Sequence, residues 1–152
     1  MDINKQSTIV DIVSVLFIIL FLYTGISKVM DYSLFKEQIS TSPSLASVAR
    51  YIAGWLPWVE FLVTILLIVP RWRLKGLYAS LGLMVMFTGY IIGILMFNKH
   101  IPCSCGGVLE ELSWRQHIIF NSIFIALAVT GIVLLRHEQR EYRMKSASIT
   151  YK

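Results

Sequence analysis

Apolar residues in this chain come in long blocks, not in the narrow stripes that mark the buried face of a soluble helix. The blocks cover residues 9–30, 51–70, 76–98 and 117–135. Each is close to the roughly 20 residues that an α-helix needs to cross a hydrocarbon core about 30 Å thick. A helix satisfies its own backbone hydrogen bonds, as a bilayer interior requires. Transmembrane strands would be shorter and would alternate in polarity, which these blocks do not. The pattern predicts an all-α membrane protein, a four-transmembrane-helix bundle forming one domain over residues 1–152. The first block is too long for a signal-peptide core and no small-residue cleavage site follows it, so it reads as a retained span.

The stretches between blocks refine this outline. In "DYSLFKEQISTSPSLASVAR", Leu34, Phe35 and Ile39 would form one face of a short interfacial helix ended by Pro43, with Leu45 and Val48 continuing the apolar contact. "RWRLK" is so short that the second and third spans must be antiparallel neighbours. Gly82, Gly89 and Gly93 on the third span, and Gly131 on the fourth, suggest close helix packing, and the 89/93 pair has small-xxx-small spacing. The polar tail, residues 136–152, is expected to fray beyond its first turns.

Composition agrees: 56% of residues are hydrophobic and 15% charged, against about 45–50% and about 25% in average soluble domains. Charge adds an orientation. Lys5, Arg71, Arg73, Lys75, Arg136, Arg140, Arg143, Lys145 and Lys152 fall on one side of the spans, and Lys36, Arg50, Lys99 and Arg115 on the other. The positive-inside rule puts the richer side, with both termini, in the cytoplasm. The net charge of +5 is then an orientation signal and implies no nucleic-acid partner. Trp55, Trp58 and Trp114 fall near outer ends and Trp72 at an inner end, as interfacial belts would place them. Residues 99–116 then face the periplasm of a bacterial inner membrane, the side where disulfides persist.

That outward connection carries both cysteines, in "PCSCGG". A disulfide between Cys103 and Cys105 closes a very small ring, which departs from relaxed geometry and makes the bond labile and oxidising. Gly106 and Gly107 would supply the backbone freedom to open it. A stapling disulfide is the competing reading, but crosslink stabilisation grows with loop length and this loop is nearly nil. Two incidental thiols, or a metal site adding His100 and His117, are further alternatives; the spacing is not a standard zinc one, and no metal is expected. Arg115 would favour a thiolate nearby, and Glu110 and Glu111 would oppose it.

Glu60 is the second candidate. It lies about 14 Å into its span at about 1.5 Å per residue, near the bilayer centre. A carboxylate there is costly unless protonated, paired or wetted. Lys28 on the first span is its most plausible cationic partner, and Pro57 one turn earlier would bend the helix. A structural pair and a proton-handling role both remain open. His117 and Asn121, at i and i+4, share a helix face directly below the cysteine connection. They would hydrogen-bond a quinone carbonyl or a thiolate, or else serve as an interfacial histidine and a helix-gluing asparagine.

Together, "FLYTGISKVMDYSLF", "LPWVEFLVTILL" and "PCSCGG" followed by "LSWRQHIIFN" resemble the MauE/DoxX-like family of small redox-associated membrane proteins. The resemblance spans nearly the whole chain and implies a four-helix bundle in the bacterial inner membrane. Methylamine-utilisation members of that family are linked to maturation of a disulfide-rich periplasmic enzyme subunit. The architecture is also similar to vitamin K epoxide reductase and bacterial disulfide-forming proteins. Those use a C-x-x-C pair, often with a second pair, whereas this chain has one C-x-C and no internal shuttle.

The expected function is thiol–disulfide exchange by Cys103 and Cys105 with a periplasmic thioredoxin-like or cysteine-containing partner. Quinone is the expected terminal acceptor, held near His117 and Glu60. The alternative is a non-enzymatic assembly or accessory subunit, working with other membrane subunits, in which the cysteines are structural.

Overall fold

The computed structural model describes residues 3–40, 49–97 and 114–150. Helix α1 runs Ile3–Met30, α2 Tyr32–Ser40, α3 Ala49–Ile68, α4 Arg73–Phe97 and α5 Trp114–Thr150, with a 3-10 turn at Pro70–Trp72 before α4. Helices α1, α3, α4 and α5 are each long and apolar enough to cross a membrane, and the described residues contain no strand. The protein is therefore a multi-pass α-helical membrane protein.

The four long helices form an up-and-down ring. Each packs on the next in the order α1, α3, α4, α5 and back to α1, while α1 and α4 touch little across the diagonal. Every neighbouring pair is antiparallel, which the short α3–α4 connection dictates for its own pair.

Burial follows a helical stripe that the block-like apolar sequence conceals. On α1 the buried positions are Gln6, Val10, Val13, Ser14, Phe17, Phe21, Gly25 and Lys28, three or four residues apart except for the adjacent Val13 and Ser14. Between them Ile12, Ile19, Ile26 and Val29 are exposed, facing what would be lipid. Both faces are apolar because lipid is as apolar as a protein core, so association rests on packing and small polar groups. Phe17 stacks on Phe21 at 5.8 Å and meets Phe124 of α5 edge-on at 5.2 Å. Val63 and Leu67, Leu77 and Met84, and Ala128 and Ile132 complete the core from α3, α4 and α5. The buried hydroxyls of Ser14, Thr64 and Ser80 donate to the carbonyls one turn earlier, at 2.7, 2.9 and 2.8 Å, and so carry no unmet hydrogen bond into the core.

Some sequence expectations are revised. Phe35 and Ile39 of α2 are buried against Ala53, Ile52 and Leu56 of α3, but Leu34 lies off that face and is exposed. Pro43, Leu45 and Val48 lie outside the described residues. The tail does not fray after its first turns: α5 extends to Thr150. No glycine or proline follows Gly131, helix-favouring Arg and Glu recur, and His137 pairs with Glu141 one turn on at 3.6 Å.

The glycines also divide differently from expectation. Nothing lies within 4 Å of a side chain built at Gly82, Gly89 or Gly93, so these do not pack against another helix among the described residues. Gly131 does pack closely, with Val13 at 3.3 Å and Leu77 at 3.4 Å. The tightest backbone approach is at Gly76, where a Cβ would stand 2.9 Å from the backbone nitrogen of Leu67. That approach lets α4 turn back directly against α3. Gly76→Ala is expected to cost about 1–3 kcal/mol, the range for overpacking, and to lower the melting temperature of the purified protein in detergent. Gly89→Ala is expected to leave it unchanged; equal melting temperatures for the two variants would show that the close approach is not limiting.

Candidate functional site

Lys28 and Glu60 are charged side chains placed inside apolar spans, and folding brings them together. One turn after Gly25, α1 presents Lys28 toward α3. Gly25 makes this possible, since a Cβ there would meet the Phe61 ring at 2.8 Å. The Lys28 ammonium donates to Glu60 Oε1 at 2.7 Å and more weakly to the Thr24 carbonyl at 3.4 Å. Glu60 is 0% exposed and Lys28 9%. The rings of Phe35 from α2 and Phe87 from α4 stand 5.7 and 6.0 Å from the ammonium, near enough for a cation–π contribution. Four helices therefore converge on one cation.

The pair is not saturated. Glu60 Oε2 is buried and has no hydrogen-bond partner among the described residues. The Thr24 hydroxyl stands beside this carboxylate, but it is directed to the Phe21 carbonyl at 3.4 Å. The Thr64 hydroxyl serves the backbone carbonyl of Glu60 and not its side chain. The site thus presents a buried acceptor next to a buried donor, with aromatic rings on two sides. A ligand with a hydroxyl or a paired carbonyl and hydroxyl would suit it chemically.

His117 and Asn121 are also buried, at 5% and 6% exposure, on one face of α5. Phe124 against Phe17, and Gly131 against Val13, set the antiparallel register of α5 on α1. In that register Asn121 and His117 lie toward the same end of the bundle as Lys28. Arg115, two residues before His117, is exposed. Cys103, Cys105, Gly106 and Gly107 lie outside the described residues, within the 98–113 connection that joins α4 to α5.

A family model described as methylamine utilisation protein MauE matches residues 6–134. The chain belongs to the MauE family. The match takes in α1 from residue 6, all of α2, α3 and α4, and α5 as far as residue 134, and with them every residue of the buried cluster. No curated protein and no solved structure matches the chain.

Sequence reasoning missed three members of the cluster: Thr24, Phe35 and Phe87. Thr24 was within reach, being one turn from Lys28. Phe87 stands in an apolar run where an aromatic residue carries no positional signal, and Phe35 is legible in the sequence only as part of the interfacial face of a short helix.

Removing one partner of a buried pair leaves an uncompensated charge, at a cost of about 3–5 kcal/mol, whereas replacing both by apolar groups is often neutral. Lys28→Met and Glu60→Leu are each expected to lower the melting temperature strongly, and the double variant to recover most of the loss. A double-mutant cycle in detergent measures this. Additive losses would show that the two side chains do not act as a pair.

Proposed function

We propose that this MauE-family protein exchanges disulfides with a periplasmic partner in maturation of a secreted, disulfide-bearing enzyme, as the methylamine-utilisation description of its family suggests. Cys103 and Cys105 are the exchanging pair. A partner thiolate attacks the Cys103–Cys105 disulfide and forms a mixed disulfide. The partner's second thiolate resolves it. The partner gains a disulfide and the pair becomes a dithiol. Two electrons and two protons then leave the pair for an acceptor, which restores the disulfide.

The observation that carries this reading is the buried polar cluster at the end of the bundle where Lys28 lies, together with a C-x-C pair in the connection joining α4 to α5. Buried charge inside a span marks function by default. The donor set fits a quinone/quinol couple: a quinone carbonyl would accept from the Lys28 ammonium, and a quinol hydroxyl would donate to Glu60 Oε2, which lacks a partner among the described residues. When bound, it would supply a two-electron, two-proton acceptor. Glu60, Lys28, His117 and Asn121 would orient it, and the Phe35 and Phe87 rings would exclude water. Arg115 would favour the thiolate state of a nearby cysteine.

The reading carries an orientation: both termini in the cytoplasm of a bacterial inner membrane, with residues 31–50 and 99–116 outside. Fusions to a phosphatase that folds only in the periplasm test it. They should be active when joined within those two stretches and inactive at residue 73 or in the tail. Activity at residue 73 would put the cysteines in a reducing compartment and end the redox reading.

A non-enzymatic accessory role is the second reading, favoured by the tightness of the Lys28–Glu60 link between α1 and α3. Thiol labelling from outside, across a series of redox buffers, separates the two. Cys103 and Cys105 should interconvert between dithiol and disulfide, and single serine variants should fold normally, since so short a crosslink adds little stability. One of the two single variants should trap a mixed disulfide with the partner on a non-reducing gel. A pair that never changes state, or a fully functional Cys103→Ser/Cys105→Ser variant, leaves the accessory role.

A further inference from the structure

At the opposite end of the bundle, three exposed cations gather without ion pairs among the described residues. Near the far end of its long apolar segment, Arg115–Met144, helix α5 carries Arg136 over the Tyr78 ring of α4, with 5.8 Å from the guanidinium carbon to the ring centroid. This contact fixes the side-by-side placement of α4 and α5 there. Lys75 precedes Tyr78 by three residues and Arg140 follows Arg136 by four, so each lies on the same helix face as its neighbour, one turn further toward the end. Lys75, Arg136 and Arg140 are all exposed.

Two other cations of this protein have acids. Lys28 has Glu60, and Arg73 has Asp11. Among the described residues, Lys75, Arg136 and Arg140 have no ion pair with a carboxylate. Below them the surface turns apolar. Tyr78 is 43% exposed, and Val85 of α4 and Val129 and Val133 of α5 are exposed on the same flank. These positions fall within the segments of α4 and α5 that are apolar enough to cross a membrane. The shape is a cationic mouth above an open apolar flank, which matches an amphiphile with an anionic head and a hydrocarbon body. Arg136 and Arg140 lie beyond residue 134, where the family match ends.

We propose that Lys75, Tyr78, Arg136 and Arg140 bind the phosphodiester headgroup of an anionic phospholipid, with an acyl chain along Val85, Val129 and Val133. A free anion has no use for the apolar flank. A zwitterionic lipid brings an ammonium group that the cations would repel. The guanidinium of Arg136, 5.8 Å from the Tyr78 ring centroid, has five N–H donors, more than that ring can engage, to offer to phosphate oxygens. The site is independent of the thiol chemistry proposed above.

Native mass spectrometry of the full chain in detergent, titrated with phosphatidylglycerol or phosphatidylcholine, tests the site. Phosphatidylglycerol should be retained preferentially, by about tenfold or more, and each cation removed should lower its retention about fivefold. Arg136→Ala/Arg140→Ala should therefore lose most of the preference. Arg136→Lys/Arg140→Lys should keep most of it. Lys36→Ala/Arg50→Ala, which removes two cations elsewhere, should change nothing. Lys75→Ala/Tyr78→Leu gives a separate arm should the arginine pair be needed for folding, and it too should lose preference.

Equal retention of the two lipids overturns the proposal. So does equal loss in the Arg136/Arg140 and Lys36/Arg50 variants, which would reflect overall charge alone. Displacement of the lipid by inorganic phosphate would reveal a simple anion site. Binding of polyglutamate but not phosphatidylglycerol would reveal a protein-docking surface. Either result rejects the lipid site.

Discussion

The 2.7 Å contact between Lys28 and Glu60 constrains the arrangement of this bundle. Neither residue tolerates separation in a low-dielectric interior, because an unpaired buried charge costs several kcal/mol. Bringing them together requires α1 and α3 to lie antiparallel at one particular register. Gly25 permits it, since a larger residue would strike Phe61. Once α1 and α3 are set, Gly76 turns α4 back against α3, and Gly131 lets α5 close on both α1 and α4. The ion pair is poor evidence for net stability, given the desolvation of both groups. Its better-attested use is to select one register among alternatives that apolar surfaces alone would not distinguish.

That selection matters because lipid removes the usual driving force. In water, a helix buries its apolar face and exposes its polar one. Here both faces of α1 are apolar, and its exposed isoleucines and buried phenylalanines differ in shape and not in polarity. Helix contact must come from aromatic packing such as Phe17 with Phe21 and Phe124, and from close approach at glycine. The small hydroxyls in the interface are satisfied within their own helices, so they permit close packing without dictating a partner. Specificity falls to the few groups that cannot be satisfied locally, Lys28 and Glu60 foremost.

The same physics decides what could be read from the sequence. The number and type of spans were legible, because a run of about 20 apolar residues has few structural solutions. The Lys28–Glu60 pairing was legible because charges inside apolar runs have few permissible partners. The buried stripe of α1 was not, since lipid-facing and core-facing residues look alike. Gly89 and Gly93 carry the small-xxx-small spacing, yet they face outward, while Gly76, tucked beside a basic turn, makes the closest backbone contact. Spacing reports a possible contact and cannot say which face meets a neighbour. Leu34 failed for a similar reason: being apolar and adjacent to Phe35 does not put it on the face that α3 covers. The length of α5 was missed because polar composition was read as fraying, when its Arg and Glu residues favour a helix.

Counter-charge offers a single account of where the basic residues lie. In the interior, only another side chain can neutralise a cation, so Lys28 has Glu60 at hydrogen-bond distance. At the surface of α1 and α4, water shares the task, and Arg73 with Asp11 is a partly exposed pair of the kind worth little in itself. Between α4 and α5, Lys75, Arg136 and Arg140 have no ion pair with a carboxylate among the described residues, and Arg136 stands over an aromatic ring instead. A ring quadrupole attracts the cation but does not cancel its charge. The remaining charge must be met by what surrounds the protein there, ions and lipid headgroups at the membrane surface. The side chains nearest the bilayer centre thus depend on the chain itself for electrical balance, and those at its edge leave that balance to the membrane.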